Sequence, residues 1–181
     1  MTKNYATLLR GINVGGHAKV PMAELRTLLT GLGYGEVTTY LQSGNVSFTA
    51  EKGDEESLAA EIAKAIEQHF GFPVDCLVRE HAYLKAVAEA CPYPAVDLEP
   101  KQLHITYLST QPDPERYAEI DPPAFQPEEF SLGDRCLYLY APKGLGRSKL
   151  AEMLSRPRMT KGMIATTRNW NTVTKLVELT R

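Results

Sequence analysis

The sequence predicts an α+β fold built as two β/α halves. Three observations carry this: apolar residues that alternate between helical and strand spacing, glycine or proline at nearly every change of spacing, and a partial restart of the pattern after residue 101. The elements follow in order along the chain.

Residues 5–14 read as a mostly buried strand, followed by a Gly15-Gly16 turn and by Pro21 at the start of a helix. Leu25, Leu28, Leu29 and Leu32 keep helical spacing until Gly31 and Gly33 end it. Val37–Gln42 and Val46–Phe48 are two strands joined by the turn formers Ser43-Gly44-Asn45. Leu58, Ile62, Ile66 and Phe70 mark a second helix that stops at Gly71, with His69 favourably placed at its C-terminus. Val74, Cys76 and Val78 alternate as a strand, and Tyr83–Cys91 close the half as a helix cut off by Pro92. The order β-α-β-β-α-β is the split βαβ arrangement called ferredoxin-like.

Residues 92–101 form a stiff connection containing Pro92, Pro94 and Pro100. Leu103, Ile105 and Tyr107 then alternate as a strand, and Pro114–Ile120 suits a short helix. Glu128–Leu132 and Arg135–Ala141 suit a hairpin turning at Gly133-Asp134. Leu150, Met153 and Leu154 lie on one face of a helix; Trp170, Val173, Leu176 and Val177 lie on one face of the last. The expected division is therefore an N-terminal ferredoxin-like subdomain, 1–91, and a degenerate second one, 102–181. Eight of the twelve prolines fall between residues 92 and 127, which makes that stretch rigid loop rather than linker.

Composition places the chain among ordinary globular proteins: of 181 residues, 43% are hydrophobic and 23% charged. No apolar run reaches the roughly 20 residues of a spanning helix, and the N-terminus lacks a signal-peptide core, so no membrane is expected. Cys76, Cys91 and Cys136 are far apart and odd in number, which suits reduced, buried thiols and a cytoplasmic location. His17, His69, His81 and His104 have no metal-ligand spacing, so neither a metal nor another cofactor is expected.

Charge is unevenly spread. The total is −2, but residues 143–181 carry nine basic side chains against Glu152 and Glu178. Such a segment attracts anions, or pairs with the acidic stretch 92–142. Two loops share a design suited to an anion: strand, glycine turn with basic residues, helix start. They are Arg10–Lys19 and Pro142–Lys149. Both miss the phosphate-binding P-loop pattern, the first with His17 and the second with Arg147 where its lysine belongs. An NTPase is excluded on that ground, and tight turns remain the structural alternative. In Thr166–Thr172, Thr167 or Asn169 suits a helix cap, Arg168 suits either a carboxylate partner or an anionic ligand, and Trp170 belongs to the core. Base-stacking aromatics of RNA-recognition sheets are missing, since the central strands offer only Phe48.

Four separated motifs also resemble a known family. They are Leu9-Arg10-Gly11-Ile12-Asn13-Val14-Gly15-Gly16 with Lys19-Val20-Pro21-Met22, then Leu41-Gln42-Ser43-Gly44-Asn45-Val46, then Gly144-Leu145-Gly146-Arg147-Ser148-Lys149-Leu150, then Thr167-Arg168-Asn169-Trp170-Asn171-Thr172-Val173. In this order they resemble the bacterial family DUF1697, with His17-Ala18 the one departure, where members often carry a polar or basic pair. The resemblance implies a soluble bacterial protein of two ferredoxin-like subdomains and implies no activity.

The residues leave three functions open. One is binding of a phosphate-bearing ligand, a nucleotide or nucleic acid, at a basic cleft between the subdomains, with Arg10, Asn13, Lys19, Ser43 and Asn45 on one side and Arg147, Ser148, Lys149, Arg168 and Asn169 on the other. The second is an enzyme acting on a small anionic substrate in the same place, with Ser43, Asn45 or Ser148 near the reacting group. The third is a structural or partner-binding module.

Overall fold

The structure, a computed structural model, describes residues 1–51 and 53–181. It is an α+β fold of two four-stranded antiparallel sheets with helices. Its contacts divide the chain into two units, residues 1–85 with 176–181, and residues 86–175.

The first unit runs β1 (Thr2–Leu9), α1 (Met22–Gly31), β2 (Gly35–Tyr40), β3 (Asn45–Glu51), α2 (Glu55–Phe70) and β4 (Cys76–Glu80). The sheet order is β2-β3-β1-β4, so β1 is central. Tyr5, Leu9, Val46, Phe48, Cys76 and Val78 share one face and form a buried cluster with Leu25 and Leu29 of α1 and Leu58, Ile62 and Ile66 of α2. Those helical positions repeat every three or four residues, which is why one stripe of each helix is apolar. Phe48 stacks between Tyr5 and Tyr34, at 5.7 and 4.7 Å between ring centres. Alternation sends Ala6, Leu8, Ser47, Leu77 and Arg79 to the other face, where they are buried as well.

Both ends of α2 are chemically closed. The Asp54 carboxylate accepts from the backbone N–H groups of Glu56 and Ser57, and Gly71 ends the helix in the left-handed region at φ 86°. The chain returns to this unit at its end, where Thr180 meets His81 (2.9 Å) and Asn4 donates to the Arg181 carbonyl (3.2 Å).

Next in sequence after β4 comes α3 (His81–Glu89). The second unit then contains β5 (Leu103–Leu108), β6 (Glu129–Gly133), β7 (Cys136–Tyr140), α4 (Lys149–Leu154), α5 (Pro157–Thr160) and β8 (Ala165–Asn169), and α6 (Trp170–Leu179) begins in it. The order β6-β7-β5-β8 repeats that of the first sheet, with β5 central. Leu108, Leu137, Leu139, Leu150, Leu154 and Met159 form its core. The register repeats too. Leu9 faces Cys76 and Leu108 faces Ala165; three residues further in, Ala6 faces Arg79 and Ile105 faces Arg168. Both arginines are buried, and each donates from Nη1 to the carbonyl of the residue before it, Val78 at 2.8 Å and Thr167 at 3.0 Å.

Several expectations are corrected here. The first strand stops at Leu9 instead of reaching residue 14, because Gly11 and Asn13 take left-handed backbone. Of residues 114–120, where a short helix is expected, only Pro114–Tyr117 are helical, as a 3-10 turn capped by the Asp113 carboxylate. Gly133 pairs with Cys136, so the hairpin turns at Asp134-Arg135. Gly133 is instead a packing glycine, whose added Cβ would come within 2.6 Å of the Tyr138 ring. His69 does stand in the last turn of α2, as expected, and also lies 3.4 Å from Glu24 on α1. β8 has no counterpart among the elements expected from sequence, because its buried positions are the polar Thr166 and Arg168.

Cys76 and Cys136 are buried free thiols and Cys91 is half-buried. Burial pushes the Cys76 thiol up to about 12. In the native protein a thiol reagent should therefore label Cys91 first and leave Cys76 until unfolding, as peptide mass mapping over time would show. Asp54 makes a second check. Its bonds to Ser57 and Glu56 hold its carboxyl below the ordinary aspartate range. The stability it adds is present at neutral pH and is lost as pH falls through that lowered value. Asp54→Ala should thus lower the melting temperature at pH 7, and the gap to wild type should close in acid.

Candidate functional site

In the first unit, the end of β1 must leave a sheet in which it is paired on both sides. It does so through a corner of left-handed residues: Gly11, Asn13, Gly15, Gly16 and Ala18 in the loop to α1, and Leu41 and Gly44 in the turn from β2 to β3. Val14 and His17 bridge across Gly15-Gly16, a two-residue turn with both central φ angles positive. Asn13 clamps the base of this small hairpin. Its side chain donates to the carbonyls of Val20 (3.0 Å) and Gln42 (2.7 Å) and accepts from Val20 N–H (2.8 Å). Gly44 closes the corner from the other side. Its carbonyl takes Leu9 N–H at 2.9 Å, and a Cβ there would lie 2.7 Å from Leu9 and Ile12. Asn45 is fully buried and donates to the Tyr40 carbonyl (2.9 Å) and Ser43 Oγ (3.1 Å).

The candidate residues of this unit therefore fall into two sets. Asn13, Ser43 and Asn45 are engaged in holding the corner together. Arg10 and Lys19 face solvent, and Arg10 keeps only a loose pairing with Asp75 at 3.8 Å. Two apolar side chains, Val14 and Leu41, are exposed beside them.

In the second unit, Arg147 ends a 3-10 turn, Leu145–Arg147, and Ser148 caps α4 by accepting from Ala151 N–H at 2.9 Å. The Glu128 carboxylate accepts from Leu150 N–H at 2.9 Å. The start of this helix thus already holds an acidic group of the chain itself, and Arg147 and Lys149 stand exposed around it. Arg168 is placed elsewhere. It lies on the sheet face with Ile105, opposite the face on which Leu150 of α4 packs. Its Nη1 also donates to Thr166 Oγ1 at 2.7 Å, and burial lowers its pKa to about 10. Asn169 accepts from Thr172 N–H at 3.1 Å and so caps α6.

Of the partners that make this geometry, Asp75 and Glu128 lie in no sequence motif, and Gln42 takes part through its backbone carbonyl; each acts across at least 22 residues of chain. Among the described residues, no three His, Cys, Asp or Glu side chains gather as a metal site, and no helix is long and apolar enough to cross a membrane.

The chain was compared with known proteins. A conserved bacterial protein from Streptococcus pneumoniae aligns over 100% of both chains with a TM-score of 0.78 and 23% identity, a likeness that establishes the fold alone. A search of the curated proteins returns no match. The family model described as "Protein of unknown function (DUF1697)" matches residues 1–138. With most of its length matched by that one model, the chain belongs to the DUF1697 family.

Proposed function

We propose that this protein binds a phosphate-bearing ligand, a nucleotide or nucleic acid, at the corner made by residues 10–19 and 41–45 of the first unit. The observation that carries the reading is the pairing of two solvent-facing cations, Arg10 and Lys19, with a loop that Asn13 fixes by three hydrogen bonds. Pre-positioned cations lose little freedom when an anion arrives. The start of α4 is left out of the site, because Glu128 fills it. An enzyme on a small anionic substrate has less support: Ser148 is buried and occupied as a cap.

We read each unit as ferredoxin-like, the second degenerate; the shared strand order supports this. Likeness to a conserved bacterial protein supports a bacterial source, and three free thiols support a cytoplasmic location.

A thermal-unfolding panel of inorganic phosphate, nucleotides, and short DNA and RNA tests the function. A ligand at about a hundred times its Kd adds roughly 2.7 kcal/mol, which for this size of chain is on the order of 5–10 °C. The shift should be confined to one ligand class and absent from the Arg10→Ala, Lys19→Ala double variant; a flat panel, or an unchanged shift in the variant, refutes the proposal. If the ligand is nucleic acid, the slope of log affinity against log salt should be about −2, since two cations displace counterions. Asn13→Gly keeps the left-handed backbone and both cations but removes the clamp. It should weaken binding while leaving that salt slope unchanged, which a titration at several salt concentrations would measure.

A further inference from the structure

Beyond the corner, the first sheet has a polar depression at the other end of its central strand. It has a volume of about 380 Å3 and is lined by Asn4, Glu36, Thr38, Ser47, Thr49 and Arg181 among others. Register explains why these groups meet. Thr38 faces Ser47 across β2 and β3, and Asn4 faces Thr49 across β1 and β3, so all four share the face opposite α1 and α2. β2 is the edge strand, and its register shifts between Gly35 and Thr38, with Glu36 in left-handed backbone at φ 48°. Such a bulge re-aims the side chain it carries. Gly35 has a packing reason to be glycine: opposite Thr49, a Cβ would sit 2.6 Å from the Thr49 hydroxyl.

The hydroxyls in this depression are unspent. Those of Thr38, Ser47 and Thr49 take no hydrogen-bond partner among the described residues, although Ser47 is only 4% exposed. Asn4 uses its amide N–H on the Arg181 carbonyl and keeps its own oxygen. Of the three only Ser47 is buried, with Thr49 half-buried and Thr38 exposed, so the depression offers a ligand one nearly enclosed hydroxyl flanked by two open ones.

We propose that this depression is a binding site for a small polyhydroxylated molecule, of the monosaccharide or polyol class. Each protein hydroxyl can donate once and accept twice, which matches the mixed demand of a polyol. Asn4 Oδ1 and the Glu36 carboxylate add acceptors, and the Arg181 guanidinium adds donors. An anion is disfavoured by Glu36 at the rim. The site lies at the start of β1, whereas the Arg10 corner lies at its end, so the two proposals stand or fall separately.

The test is an amide-shift titration of the full, 15N-labelled chain with D-glucose, myo-inositol and glycerol, using sodium phosphate and glycine as comparison probes. A polyol should move the resonances of Thr38, Ser47 and Thr49 together. Ser47→Ala and Thr49→Val, each checked by its own amide spectrum for an intact fold, should raise Kd by about tenfold, the equivalent of one lost hydrogen bond. The Arg10→Ala, Lys19→Ala variant should bind the polyol as the wild type does. The proposal is overturned if these three amides do not move at the highest soluble polyol concentration, if phosphate or glycine moves them equally, or if Ser47→Ala binds unchanged.

Discussion

Strand β1 has a neighbour on each edge and buried side chains on each face, from Tyr5 to Leu9 without exposure. A strand so placed has no solvent to satisfy its backbone, so every N–H and C=O must be met by β3, β4 or the turns that flank them. That is why Leu9 N–H reaches the Gly44 carbonyl and Arg10 N–H the Asp75 carbonyl, at 2.9 and 3.0 Å. It is also why the chain must turn sharply at residue 11, and why the exposed Arg10 and Lys19 sit where they do. The corner is the consequence of ending a fully enclosed strand.

The second sheet meets the same constraint with different residues. β5 is central and largely buried, and the buried arginine recurs at the matching register position in β8. A guanidinium in such a place loses hydration, and the preceding carbonyl in each strand returns part of it. Where the first unit has α1, the second has prolines and 3-10 turns, yet the strand order survives. Strand pairing, not the helical layer, is what the two units have in common.

This division governs what could be read from residues alone. Helix α2 was legible because Leu58, Ile62, Ile66 and Gly71 state its face and its end locally. β8 was not, because its buried positions are Thr166 and Arg168, and hydrophobic periodicity is silent when the inward residues are polar. For the same reason the residues alone left Arg168 open between a carboxylate partner and an anionic ligand. Charge reads as exposure, and the bonds that Arg168 makes to Thr166 Oγ1 and the Thr167 carbonyl within its own strand leave no mark in the hydrophobic pattern. At the corner, Arg10 and Lys19 were legible as loop cations, while the clamp on Gln42 joins residues 29 apart and leaves no local mark.

Strain separates the corner from an ordinary turn. Left-handed backbone is easy for glycine, but Asn13, Ala18 and Leu41 adopt it too, at φ 55°, 48° and 61°. Each non-glycine residue held there costs on the order of 1 kcal/mol, and such conformations persist only where surrounding contacts over-determine them. Here the over-determination can be named: three bonds from Asn13, and the close contact of Gly44 with Leu9 and Ile12. Simpler turns would end β1 without this cost. What the strained version adds is a single fixed position for the loop carrying the two cations, and a fixed position is what an anion-binding loop requires and a mere connection does not.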